Sequence, residues 1–168
     1  MATRKSIWIM IGVLIIATGL MGSATKAVAE TVERIINDNI AAWSSHDAEK
    51  LVSLFTDDCV YEDVAFGMIS RGKEELRAFA NGTFAAFPDF KVELKSFFVS
   101  GDWVGLEWVM SGTHKGDLPG IPATGKSFSI RGASVSELKG GKIKRNTDYY
   151  DMVSFLRQIG VMPESPPK

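Results

Sequence analysis

Two aspartates lie in segments that read as strands, where alternation decides which neighbours share their face. Asp63 closes the run Tyr61-Glu62-Asp63-Val64. Side chains alternate along an extended chain, so Asp63 shares a face with Tyr61 while Glu62 points the opposite way. Asp148 lies in Arg145-Asn146-Thr147-Asp148-Tyr149-Tyr150, where Asn146, Asp148 and Tyr150 share one face and Arg145, Thr147 and Tyr149 the other. A carboxylate at the mouth of an apolar pocket has its pKa raised by desolvation, which suits it to moving a proton next to a carbonyl. Two of them in one pocket push their titrations apart, one charged and one protonated near neutrality. Each also has a plainer reading: Asp63 as the cap of a turn, Asp148 as a structural carboxylate paired with Lys144 or Arg145.

Around these carboxyls the candidate neutral donors to a developing enolate are Asn39, Tyr61, Ser134 and Tyr150. Trp43, Trp108 and Met110 are candidate walls for an apolar ligand, at spacings that an ordinary core also uses. His114, in Gly112-Thr113-His114-Lys115-Gly116, could move protons near pH 7 or order its loop through a hydrogen bond. Neither His114 nor His46 has metal-ligand spacing, so the sequence predicts neither a metal nor a cofactor. Cys59 is the only cysteine; it forms no intramolecular disulfide and reads as a small buried strand residue.

The elements that must position these groups follow from periodicity. Val32, Ile35, Ile36, Ile40 and Trp43 recur at helical spacing, which predicts a helix over 31–45 with Asn39 on its apolar face. Asp47 caps a second short helix through Phe55, and a strand runs over 59–64. A third helix spans 73–87, with Leu76, Phe79, Ala80, Thr83 and Phe84 on one side and Pro88 at its end. Strands over 90–99, 103–113 and 127–138, rich in β-branched and aromatic residues, predict an antiparallel sheet. Gly140-Gly141 turns the chain into a last strand over 143–150, and Asp151 caps a closing helical turn.

The chain has 168 residues, 45% hydrophobic and 23% charged, with 19 Lys+Arg against 20 Asp+Glu. One globular domain is the expectation, and the net charge of -1 supplies no general attraction for nucleic acid. Arg4 and Lys5 precede an uncharged apolar run from Ile7 to Met21, followed by small residues ending Ala27-Val28-Ala29. That is the layout of a signal peptide over 1–29, whose apolar run over 7–21 is shorter than the roughly 20 residues of a bilayer span. The expected destination is periplasmic or secreted, off the membrane after cleavage, the alternative being an uncleaved N-terminal anchor. A domain over 30–162 and a flexible Pro-rich tail over 163–168 complete the organisation.

Phe87-Pro88-Asp89, Ser111-Gly112-Thr113-His114-Lys115-Gly116, Pro122-Ala123-Thr124-Gly125-Lys126, Gly141-Lys142-Ile143, Asp148-Tyr149-Tyr150-Asp151 and Leu156-Arg157-Gln158-Ile159-Gly160, in that order, resemble the SnoaL-like polyketide cyclase family of the nuclear-transport-factor-2-like superfamily. The resemblance implies an α+β fold, a cone-shaped curved antiparallel sheet with three helices from the N-terminal half enclosing an apolar pocket, in a homodimer. Asp148 matches the family's acid/base aspartate, and the Asp63 segment resembles the part of ketosteroid isomerase that carries its general base. A histidine with which the cyclases bind substrate falls at Ser134, and the Arg and Asp of limonene epoxide hydrolase fall at Trp108 and Met110. The implied function is a cofactor-independent isomerase or cyclase acting on a small apolar carbonyl compound through Asp148 and Asp63. Its alternative is a non-catalytic protein that holds a small hydrophobic ligand, because one fold hosts many functions.

Overall fold

The computed structural model describes residues 29–163. The signal-peptide reading of the first 28 residues and the tail from 164 onward lie outside the described residues. The chain divides into two compact units, Met1–Arg34 and Ile35–Lys168; the described part of the first is helical, and the second contains the sheet and the cavity.

Helix α1 covers residues 29–44, and from Ile35 onward its apolar side presents Ile35, Ala42 and Trp43 to the core. The turn after it places His46 at φ 58°, its ring stacked on Phe84 at 4.7 Å and its Nε2 3.0 Å from the Phe90 carbonyl. Asp47 accepts from the Lys50 amide at 2.8 Å and starts α2 (Ala48–Ser53), as a capping aspartate should. Helix α3 (Gly72–Ala86) buries Leu76, Ala80 and Ala86 and stops before Pro88, which has no amide proton to continue it. Asp151 accepts from the Ser154 amide at 3.0 Å and caps α4 (Met152–Gln158).

Six strands, β1 (Phe55–Asp63), β2 (Met68–Arg71), β3 (Lys91–Ser100), β4 (Trp103–Thr113), β5 (Ser127–Lys139) and β6 (Lys142–Tyr150), form one open sheet in the order β2-β1-β6-β5-β4-β3. The fold class is α+β, as the sequence predicts. Two features go beyond that expectation. β2 is a four-residue edge strand in a stretch to which the sequence assigns no element, too short to show alternation. β1 also starts at Phe55 rather than 59 and runs parallel to β6, the one departure from antiparallel pairing in the sheet. A chain that leaves β1 through β2 and α3 and returns through three more strands reaches β6 by a crossover, which permits parallel pairing.

Irregular register bends the sheet: β1 carries extra residues between Phe55 and Val60, and shifts occur at Leu94/Ser96 and Glu137/Leu138. One face of the sheet meets the helices. Cys59, Trp108, Phe128, Ile130 and Ile143 pack there against Leu51, Val52, Leu76 and Phe155. Cys59 is buried as predicted, and its burial pushes the thiol pKa up, away from nucleophile chemistry. The opposite face leaves Phe98, Trp103, Val135 and Tyr149 exposed. Among the described residues no helix is long and apolar enough to cross a membrane.

Candidate active site

The parallel register sets Asp63 beside Asp148 and Tyr61 beside Asn146. Alternation then sends Tyr61 and Asp63 from β1, and Asn146, Asp148 and Tyr150 from β6, into one cavity of about 520 Å³. Glu62 faces outward, where Arg145 lies 3.6 Å away, as the period of two requires. Each of the two strands contributes one carboxyl and one phenol, and the bonds cross between strands. The Tyr61 hydroxyl donates to Asp148 Oδ2, and the Tyr150 hydroxyl donates to Asp63 Oδ2 at 2.9 Å.

Asp148 is 9% exposed. Its Oδ1 accepts from Ser134 Oγ at 2.6 Å and from Asn146 Nδ2 at 2.7 Å. Behind these, Trp108 Nε1 donates to Ser134 Oγ at 2.7 Å, and Ser136 Oγ donates to Asn146 Oδ1 at 2.7 Å. Burial pushes the Asp148 carboxyl up to about 6, against the pull of the Ser134, Tyr61 and Asn146 donors. Lys144 and Arg145 are both engaged elsewhere, with Asp58 and Glu62, so the salt-bridged alternative for Asp148 does not hold. Burial also raises the pKa of Asp63, which the Phe66 amide (2.9 Å) and Tyr150 partly offset. Asp63 is therefore both a cavity carboxyl and the cap of the turn after β1. The Tyr61 and Tyr150 hydroxyls titrate well above the usual tyrosine range, mainly through burial and then through the adjacent carboxylates.

Asn39, Trp43, Trp108, Met110 and Ser134 also line the cavity. Asn39 comes from α1 and has no hydrogen-bond partner among the described residues, so its amide is available to a ligand. Trp43 lies against Tyr61 (5.9 Å between centroids), Phe79 and Phe84. His114 is not brought to the cavity. It is fully buried beside Phe87, with Nδ1 3.2 Å from Thr124 Oγ1 and Nε2 without a partner. Its backbone ties the Lys126 and Gly125 ends of the β4–β5 loop. It orders that loop, and burial lowers its pKa so that the ring is neutral.

Sequence reasoning passed over two contributors. Asn146 was legible as a residue on Asp148's face, two positions away, but not as its donor; Ser136 is visible only through the antiparallel register that sets it opposite Asn146. No three His, Cys, Asp or Glu side chains among the described residues converge as a metal site would require.

Gly132 explains how Trp108 reaches Ser134. A Cβ at Gly132 would lie 2.2 Å from Trp108 Cη2, so the indole rests where any other side chain would begin. Gly132→Ala is expected to push the indole aside, break the Trp108–Ser134 bond, and cost about 1–3 kcal/mol in stability. A urea melt beside the wild type checks this, and an unchanged midpoint would show that the ring has room to move.

Comparison with known proteins agrees with the fold. The model of the SnoaL-like polyketide cyclase family matches residues 33–159. An aklanonic acid methyl ester cyclase of Streptomyces peucetius is 36% identical over 61 residues, 36% of this chain and 42% of that protein; the matched stretch spans less than half of that relative's length. A cyclase of Calcarisporium arbuscula is 31% identical over 104 residues, 61% of this chain and 74% of that protein. Among solved structures, a protein of ketosteroid isomerase-like fold from Catenulispora acidiphila, in complex with trimethylamine, superposes with a TM-score of 0.68 at 28% identity, covering 79% of this chain and 97% of that one. The chain belongs to the SnoaL-like polyketide cyclase family.

Proposed function

We propose that this protein is a cofactor-independent cyclase or isomerase that opens its reaction by taking a proton from the carbon next to a carbonyl, with Asp148 as the base. The observation that carries the reading is the setting of Asp148: buried, without a cationic partner, held by three donors, in the wall of an apolar cavity. A carboxyl with a pKa of about 6 is ionised at neutral pH yet more basic than an exposed aspartate, which is the compromise a general base needs. The C–H electron pair passes to the carbonyl oxygen as an enolate, and the side-chain amide of Asn39, which lines the same cavity, is the donor proposed for it. In a cyclase the enolate carbon then attacks a second carbonyl of the same molecule, and the resulting alkoxide takes the proton back from Asp148. In an isomerase that proton returns to a different carbon.

The names of the relatives, methyl ester cyclases, support an ester-bearing substrate, and the cavity walls support an apolar one. Asp63, held by Tyr150, serves as the second carboxyl, shifting protons as Asp148 changes charge. The basic and apolar N-terminal run supports export from the cytoplasm. A second reading, ligand holding without chemistry, draws on a specific feature: the Tyr61, Tyr150 and Ser134 hydroxyls already donate to carboxylates.

Deuterium exchange separates the two without knowledge of the natural substrate. With 2-tetralone in D2O, followed by proton NMR, the protein is expected to accelerate loss of the α-proton signals. Binding of the ketone with exchange no faster than in buffer would sink the proton-transfer reading and leave the holding one.

A further inference from the structure

The cavity has a charge imbalance that the proton-transfer reading does not use. Its wall contains four carboxyl side chains, Asp63 and Asp148 deep within it and Glu75 and Asp117 at its exposed rim, and not one Lys, Arg or His. Nearby cations are spent on the outside of the molecule. Lys73 pairs with Asp57, Lys144 with Asp58, Arg145 with Glu62, and Arg77 with Glu49 and Glu74. Adjacent buried carboxylates without a countercharge raise each other's energy, and the low local dielectric leaves that repulsion poorly screened.

The remaining wall is suited to a cation of one particular kind. Trp108 and Tyr150 stand 6.2 Å apart between ring centroids and Trp43 and Tyr61 5.9 Å apart, all four lining the same space. Aromatic faces attract an alkylated ammonium, whose charge is spread and whose hydration is weak, and they do so most strongly where water is excluded. A metal ion or a primary ammonium would demand more oxygen ligands than these walls offer, because the carboxyl oxygens already accept from Tyr61, Ser134, Asn146, Tyr150 and the Phe66 amide. A tertiary ammonium asks for one hydrogen bond and an apolar surround.

We propose that this cavity binds a hydrophobic tertiary amine in its protonated form, the ammonium beside Asp63 and Asp148 and its alkyl and aryl groups against Trp43, Trp108 and Tyr150. The inference concerns the same cavity as the proton-transfer proposal but does not rest on it. A protein that binds the amine and exchanges no deuterium satisfies this one and fails the other. Binding also has a proton signature: a cation beside Asp148 favours its ionised form, so uptake near pH 6 releases protons.

The test is calorimetry with three probes of one shape on the wild-type chain: N,N-dimethyl-3-phenylpropylamine, its uncharged carbon isostere 4-methylpentylbenzene, and 4-phenylbutyrate. The amine is expected to bind at least about tenfold more tightly than the isostere at pH 8, and the carboxylate not to bind. Between pH 8 and pH 5 the amine should weaken as the buried Asp63 and Asp148, both raised by desolvation, take up protons, while the isostere stays constant. Asp63→Asn, checked for folding by circular dichroism, should lower the amine's affinity relative to the isostere's. Equal affinity for amine and isostere, binding of the carboxylate, an amine affinity indifferent to pH, or no binding of the amine would each overturn the proposal.

Discussion

Asp148→Asn is expected to slow protein-dependent α-proton exchange by roughly 10²–10⁴-fold, the usual contribution of a positioned general base, while the cavity still binds the ketone. The amide has nearly the shape of the carboxylate and cannot accept the proton. Its hydrogen bonds are largely replaceable: Asn Oδ1 can take the Ser134 and Asn146 donors that Asp148 Oδ1 now takes, and the Tyr61 hydroxyl can turn to accept from Nδ2 where it now donates to Oδ2. Tyr61→Phe tests the neighbour. It removes one donor from the carboxylate, so the Asp148 pKa should climb further and the rate-versus-pH profile move to higher pH, with a smaller loss at the plateau. Exchange rates from pH 5 to 9 for the three proteins check both statements. An Asp148→Asn variant exchanging at the wild-type rate would remove Asp148 from the reaction.

Apart from β1 and β2, the strands and helices were legible to within a few residues because they have a period and a chemical stop. Burial alternates from Glu107 to Thr113, and Pro88 and the aspartates at 47 and 151 punctuate the helices. β2 was not legible, because Met68 to Arg71 has no room for a pattern and takes its strand status only from pairing with Val60 to Asp63. The parallel pairing of β1 with β6 was hidden for a related reason: alternation within a strand says which residues share a face but not which strand lies alongside. That missing fact decides the site. Without it Tyr61, Asp63, Asp148 and Tyr150 were four separate candidates; with it they become two crossed phenol–carboxyl pairs. His114 went the other way: a histidine near a strand end can be read as a ligand contact or, as the sequence favours here, a loop anchor, and its position away from the cavity separates the two.

The stability of the protein is expected to fall as pH rises from 4 to 7, and Asp148→Asn to abolish most of that fall. In the unfolded chain an aspartate titrates near 3.8, and in the fold Asp148 titrates at about 6. The folded state therefore binds the extra proton between those values. By linkage, the stability tied to that proton is complete below about 4, drains away as pH climbs through 6, and is gone above it. Two pH units of displacement amount to about 3 kcal/mol at neutral pH, a cost the fold carries to keep the carboxylate in its cavity. Asp63, raised in the same direction, adds to the slope. His114 opposes it: its folded pKa is lowered, so its contribution is present above about 6.5 and is lost as pH falls toward the folded value. Because His114 is common to both proteins, the difference between wild-type and Asp148→Asn unfolding free energies, measured by urea at each pH, isolates the one carboxyl. That difference should swing by about 3 kcal/mol in favour of the variant between pH 4 and 7. A flat difference would mean that Asp148 titrates as an exposed aspartate does, and the base on which the proposed reaction depends would lose its basicity with it.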